Sequence, residues 1–492
     1  MIALLILLIP LLGGLVSFMI GDHKKWVGPV FLLAAGLQFL LVLLALTSWD
    51  QPELHRFSAA WMSDVGSSFS LSLDPLGKVL CLLNAVVYFL LALYLQGRSM
   101  QKPGAFYGWL LLAQAGMMGV FLATDGLLFY FCWELALIPM YFLSSIWGGP
   151  RRIAVTFKFF IYTFLGSILL LAGLIYLQSL TPEKSFALDA ILKLNLTNTQ
   201  QSWLLWLILP AFAIKLPLFP FHTWQPDAYE EAPTPVTLVL SAVMVKMGIL
   251  GLLRWLLPIL PVAAYQWGDV IMGLAVGGIV YASLIAWRQD DLKRLVAYSS
   301  IAHIGLMGAA AFAGNLGSLQ GLCFQLFAHG INIMGMWFLV DLIERNLGTR
   351  KIADLGGLAQ RSPGLTLFMV IIAFANIALP LTNGFVGEFL MFTGLLATKS
   401  NYYWVFTVVA GSGIILSAVY MLGMIRSVFF GEGPSQPLPP VKLSVQEQLV
   451  LLIVVGLIFV FGLFPQPLLD VTASYSDNLF KQIDISYLFK NF

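Results

Sequence analysis

Apolar stretches long enough to cross a bilayer follow one another from Leu4 to Leu463, separated by short polar breaks. A helix spanning about 30 Å of hydrocarbon needs roughly 20 such residues. The pattern places spans near 2–20, 27–47, 74–95, 106–124, 126–146, 155–178, 204–229, 234–256, 268–287, 295–313, 319–341, 365–397, 403–430 and 446–466. It therefore predicts an all-α polytopic membrane protein of about 14 transmembrane helices.

Two of these spans are interrupted. The seventh contains Lys215-Leu216-Pro217-Leu218-Phe219-Pro220 and the twelfth Ala378-Leu379-Pro380-Leu381-Thr382-Asn383-Gly384. Proline lacks an amide donor and clashes with the preceding turn, so helices 7 and 12 should break near mid-membrane and free carbonyls there. Broken spans at matching places in two chain halves point to inverted repeats. The expected organisation is helices 1–3 in residues 1–105, a five-helix repeat (helices 4–8) in 106–256, a second (helices 9–13) in 257–430, and helix 14 with a tail in 431–492.

Composition agrees with a lipid environment: 59% of the 492 residues are hydrophobic and 10% charged, against about 25% charged in soluble domains. A net charge of +2 and the lack of a long basic run exclude a nucleic-acid partner. Cys81, Cys132 and Cys323 lie in apolar stretches without metal-site spacing, so they read as packing thiols, with neither metal nor cofactor on this chain. The N-terminus opens apolar with no basic leader and reads as a retained first span.

The basic residues alternate between sides. Lys24, Lys25, Arg98, Lys102, Arg151, Arg152, Arg288, Lys293, Arg294, Arg345, Arg350, Lys351 and Arg361 fall in alternate connections, with Arg56, Lys184, Lys193 and Lys399 as exceptions. By the positive-inside rule the larger set faces the cytoplasm and both termini lie outside.

Four ionisable residues stand near the middle of spans or at their breaks: Glu134 in the fifth, Lys215 at the first break, Lys246 at the centre of the eighth and Glu388 just past the second break. Each charge at bilayer centre costs about 2.5–3.5 kcal/mol on insertion scales, so they ask for partners, water or a task in ion translocation. Burial brings lysine and glutamate towards exchanging protons near neutrality, and imidazole is already there. Lys158, His303 and His329 are candidate relay points. Alternatives stand beside each: Glu134 and Lys215 as a structural ion pair, either histidine as a hydrogen-bonded core residue, and Lys158 as an interfacial lysine reaching the surface. Asp125, Asp290, Asp291 and Glu344 sit at span ends, where a cap or solvated face competes with a proton mouth.

Four segments carry a family resemblance: Phe221-His222-Thr223-Trp224-Gln225-Pro226-Asp227-Ala228, Lys246-Met247-Gly248, Tyr298-Ser299-Ser300-Ile301-Ala302-His303-Ile304-Gly305 and Gly384-Phe385-Val386-Gly387-Glu388-Phe389. Together they resemble the proton-translocating antiporter-like subunits of respiratory complex I, above all the chain M branch of NADH-quinone oxidoreductases. Glutamate at the second break, Lys246 and the lack of a long extension after residue 466 favour that branch over chains L and N. The family commonly has leucine at Gln225, histidine at Tyr229 and glycine at Leu381, departures that remove no charge from the path.

The resemblance implies a multi-pass subunit of a bacterial inner membrane, beside chain L-like and chain N-like neighbours. FMN and iron–sulfur clusters would sit on partner subunits, so this chain would move protons and water while redox chemistry reduces quinone elsewhere. Glu134 would be the switchable partner of Lys215, Lys246 the central relay and Glu388 the outlet, with Lys158, His303 and His329 assisting. The D-type component of an Mrp-type multisubunit sodium/proton antiporter is the alternative, and a passive scaffold that has kept old charges a further one.

Overall fold

The computed structural model describes residues 1–21, 24–47, 52–433 and 438–484. The helices are α1 (Ile2–Ile20), α2 (Lys24–Thr47), α3 (Pro75–Leu95), α4 (Pro103–Leu122), α5 (Gly126–Trp147), α6 (Arg152–Leu180) and α7 (Asn198–Lys215). Then follow α8 (Gln225–Glu231), α9 (Thr234–Leu256), α10 (Pro261–Trp287), α11 (Leu292–Phe312) and α12 (Leu316–Leu347). The chain continues with α13 (Pro363–Asn376), α14 (Asn383–Leu396), α15 (Tyr403–Phe430), α16 (Val445–Leu463) and α17 (Gln466–Ile483). Among the described residues, 12 helices are long and apolar enough to cross a membrane.

Polar residues at the starts of helices satisfy amide groups that have no partner within the helix. Asp74 accepts from Gly77 N at the start of α3, Asp125 from Leu127 N and Leu128 N at α5, and Asp291 from Arg294 N at α11. Thr197 with Gln200 and Ser444 with Glu447 form reciprocal capping boxes on α7 and α16. Asp125 also accepts from Ser67 Oγ at 2.7 Å and Ser68 N at 3.0 Å, so its position at a span end is that of a buried cap.

The seventh and twelfth segments are each in two pieces. α7 stops at Lys215 and α8 begins at Gln225, whereas α13 stops at Asn376 and α14 begins at Asn383. Proline explains both interruptions. At the second, Ala378 (φ 55°) and Leu381 (φ 78°) take left-handed backbone, the conformation glycine adopts without a Cβ clash. Leu381 is the position where the resembling family commonly has glycine.

Three features depart from a plain all-α reading. Residues Arg56–Ala60 (β1) and Ser68–Ser72 (β2) form an antiparallel hairpin with Ser58 opposite Ser70, inside the polar segment 48–72, whose residues 48–51 lie outside those described. Their short alternation of aromatic and small residues suits strands better than a helix. After α16 most of the expected tail is a further helix, α17, burying Leu468, Thr472, Ser476 and Leu479 along one stripe; residues 485–492 of the tail are outside the description. Within α9, Leu240–Met244 and Leu252–Leu256 are wound as π-helix on either side of Lys246. Such wide turns recur at functional sites and leave no mark in a uniformly apolar sequence.

The chain divides into two compact units, Met1–Leu216 with Val243–Gln266 and Asp477–Phe492, and Pro217–Ala242 with Trp267–Ser476. The chain crosses between them at the first break and within α9, α10 and α17. In the first unit, α4 and α5 pack closely, with the Trp109 and Phe142 rings stacked across them at 4.6 Å between centroids. In the second, α12 packs along α14. A Cβ at Gly321 would stand 2.7 Å from that of Leu390, so glycine permits this close approach.

Candidate proton-carrying sites

In the first unit, α5 carries Glu134, α7 ends at Lys215, and α9 carries Lys246. Lys215 and Lys246 are buried, while Glu134 is half-buried. The expected Glu134–Lys215 pair is not closed. Lys215 Nζ has no hydrogen-bond partner among the described residues, and neither has Glu134 Oε1. Instead the ammonium lies 5.1 Å from the ring centroid of Trp133, within cation–π range. Trp133 packs in turn on Phe212, with centroids 5.8 Å apart. The carboxylate of Glu134 has the Ser167 hydroxyl on α6 and the Lys215 charge as its polar neighbours. Lys158 sits about two turns into α6, half-exposed, a placement that suits a side chain reaching the interface.

In the second unit, His303 on α11 meets Glu388 on α14, Nδ1 to Oε1 at 2.8 Å. The His329 ring on α12 lies with its centroid 5.9 Å from that of His303, and its Nε2 is 3.4 Å from Ser300 Oγ. A set of polar groups surrounds the second break. Ser299 Oγ accepts from Asn376 Nδ2 and from Tyr420 OH, both at 3.0 Å, and Asn332 Nδ2 donates to Ala375 O at 3.2 Å. A cavity of about 20 Å³ lined by His303, Glu388, Ser417 and Tyr420 has room for one water.

This arrangement allows a proton to pass between a carboxylate, an imidazole and a water without crossing bare hydrocarbon. The charged members were visible in the sequence. Trp133, Tyr420, Asn332, Asn376 and Asn383 were not, because neutral aromatic and amide residues do not stand out in an apolar chain; the two asparagines flanking Pro380 offered the only signal. Asp291 and Glu344, left open between cap and mouth, are engaged by Arg350 at 2.6 and 2.9 Å.

At the two other family departures, Gln225 and Tyr229 are both buried one turn apart on α8. The Tyr229 hydroxyl and the Gln225 amide are buried with no hydrogen-bond partner among the described residues.

Residues 123–415 match the family described as the transmembrane region of NADH:quinone oxidoreductase and Mrp antiporter proteins. The NADH-quinone oxidoreductase subunit M of Rickettsia typhi is 35% identical, with 96% of this chain and 97% of that protein covered. The F(420)H(2) dehydrogenase subunit M of Methanosarcina mazei is also 35% identical, covering 97% of each. A chain in the structure of respiratory complex I from Thermus thermophilus with bound NADH superposes with a TM-score of 0.89 at 28% identity, over 98% of this chain and all of that one (100%). The chain therefore belongs to the antiporter-like membrane-subunit family shared by NADH:quinone oxidoreductases and Mrp antiporters.

Proposed function

We propose that this chain is a proton-carrying membrane subunit of a bacterial respiratory NADH-quinone oxidoreductase of the chain M type. The His303–Glu388 hydrogen bond beside a broken helix carries the reading, since it joins two groups able to exchange a proton at a place where backbone and cavity admit water. The near full-length relatives named subunit M support the assembly. FMN and iron–sulfur clusters belong to partner subunits, and chain L-like and chain N-like subunits flank this one. Helices 4–8 and 9–13 act as inverted repeats, and both termini face outside. Glu134 switches the charge of Lys215, Lys246 is the central relay, Glu388 the outlet, and Lys158, His303 and His329 assist.

Glu388→Gln keeps the shape and a hydrogen bond to His303 but removes the carboxylate, so proton uptake into vesicles should fall about tenfold while the complex still assembles. Glu388→Asp should retain more activity. Equal uptake by the glutamine variant and the unaltered complex would remove Glu388 from the path. The same family holds the Mrp antiporters, and the purified assembly separates the two: flavin and iron–sulfur absorbance with a quinone-reducing activity marks the oxidoreductase, a colourless complex the antiporter.

A further inference from the structure

α8 is a half-helix of seven residues that follows the first break. A helix so short does not hold itself, because nucleation costs more than a single turn returns. Three basic side chains grip it from other elements of the same unit. Arg294 Nη1, in the first turn of α11, reaches Asp227 Oδ1 at 3.1 Å and Glu230 Oε2 at 2.8 Å, which stand three residues apart on α8. Arg350, just past α12, lies 3.5 Å from Glu230, 2.6 Å from Asp291 and 2.9 Å from Glu344. Lys293 Nζ then reaches Glu344 at 3.1 Å and the carbonyl of Ala232, at the end of α8, at 3.3 Å.

The contacts close a ring from Glu230 on α8 through Arg350, Glu344 and Lys293 to the carbonyl of Ala232, and Arg294 braces it by bridging Asp227 and Glu230. The loop bearing Arg350 is itself pinned, with Leu292 N donating to Arg350 O and Ile352 N to Asp290 O. The side chains of Lys293 and Glu230 are 4% and 16% exposed while Arg294, Asp227, Arg350 and Glu344 are 23–33% exposed, so the contacts are partly shielded from water and salt, most of all at Lys293 and Glu230.

We infer that this ring is the fastening that holds α8 in register after the break, and that Arg294 and Lys293 are positioning residues for proton movement. The segment it fastens carries Gln225 and Tyr229, both buried and four residues apart on one face of the helix, and follows directly on the buried His222 in the turn before it. Loosening the ring turns that polar face away from its place without touching any of the groups assigned a proton. The functional half of the inference rests on the proposed proton-carrying role, whereas the fastening itself does not.

The test uses the intact complex in vesicles with Arg294→Ala, Arg294→Lys and Lys293→Met, following amide hydrogen exchange over residues 225–232 together with proton uptake per redox turnover. For Arg294→Ala, exchange in that segment should rise about tenfold or more and uptake should fall several-fold. Lysine at 294 restores one charged contact and should recover a good part of both. Lys293→Met gives a second reading should the alanine variant fail to assemble, with faster exchange concentrated towards Ala232. Unchanged exchange in assembled Arg294→Ala, or in Lys293→Met where the alanine variant does not assemble, overturns the fastening. Faster exchange with normal uptake overturns the positioning role. Faster exchange in a complex whose unaltered form moves no protons leaves the fastening standing and removes the proton-carrying reading.

Discussion

At the scale of single residues, the geometry around Lys215 supports the proposed switch among the charges of the first unit. Lys215 rests over the Trp133 ring instead of meeting Glu134, although both acid and base are near enough to feel each other. Glu134 lies within a continuous helix and Lys215 at the last residue of one, and in the gating we propose the lysine moves between aromatic face and carboxylate. Paired, Lys215 is neutralised and a second ammonium at Lys246 is tolerated. Parted, its charge disfavours that ammonium and helps expel the proton; two unit charges about 8 Å apart at an effective dielectric near 20 repel by about 2 kcal/mol, enough to move a proton without locking it. Glu134→Gln and Lys215→Ala should each abolish most proton uptake, Glu134→Asp should keep much of it, and all three should assemble on native gels. Normal uptake in an assembled Glu134→Gln complex would end the gating scheme. The ionisable partners could be read from the sequence because a charge in a run of apolar residues has few innocent explanations. Their parted state could not, since a distance between α5 and α7 depends on packing that no local pattern encodes.

At the scale of elements, the breaks were legible and the wide turns were not. Proline announces an interruption wherever it falls inside a span, and Pro217, Pro220 and Pro380 mark both. The π-helical turns on α9 have no proline or other breaker to announce them, and the way that helix meets its neighbours is equally silent in the sequence. One such meeting is specific: a Cβ on Gly248 would stand 2.9 Å from both Phe212 O and Leu216 N, in the backbone where α7 ends. Glycine two residues after Lys246 thus lets the relay helix lie directly on the break. Gly248→Ala must push α7 and α9 apart, because rigid backbone cannot yield as a side-chain tip can, and overpacking of this kind costs about 1–3 kcal/mol. The expected result is a lower melting temperature of the assembled complex and reduced proton uptake with Lys246 still present. An alanine variant that matches the parent in both would show that the close approach is incidental. The hairpin of β1 and β2 and the amphipathic α17 escaped the sequence pattern for a different reason, since neither is apolar enough to register as a span.

At the scale of the whole chain, orientation follows from where lysine and arginine were left. Residues 288–294 and 345–361 carry basic residues in number, whereas 52–72 hold Arg56 alone. A cytoplasmic leaflet rich in anionic lipid and the membrane potential both retain cationic connections on the inner side during insertion. The ring around α8 uses several of these residues, so in the proposed topology the charges that retain these connections on the inner side also serve as internal contacts. Cysteine labelling in intact cells reads the orientation directly, and the native thiols do not interfere because Cys81, Cys132 and Cys323 are all buried. Lys351 and Lys399 are both exposed and stand on opposite sides in the expected arrangement. Lys399→Cys should react with an impermeant maleimide added outside, and Lys351→Cys should react only after the membrane is opened. Labelling of Lys351→Cys from outside would invert the topology, and with it the direction in which Glu388 could serve as an outlet.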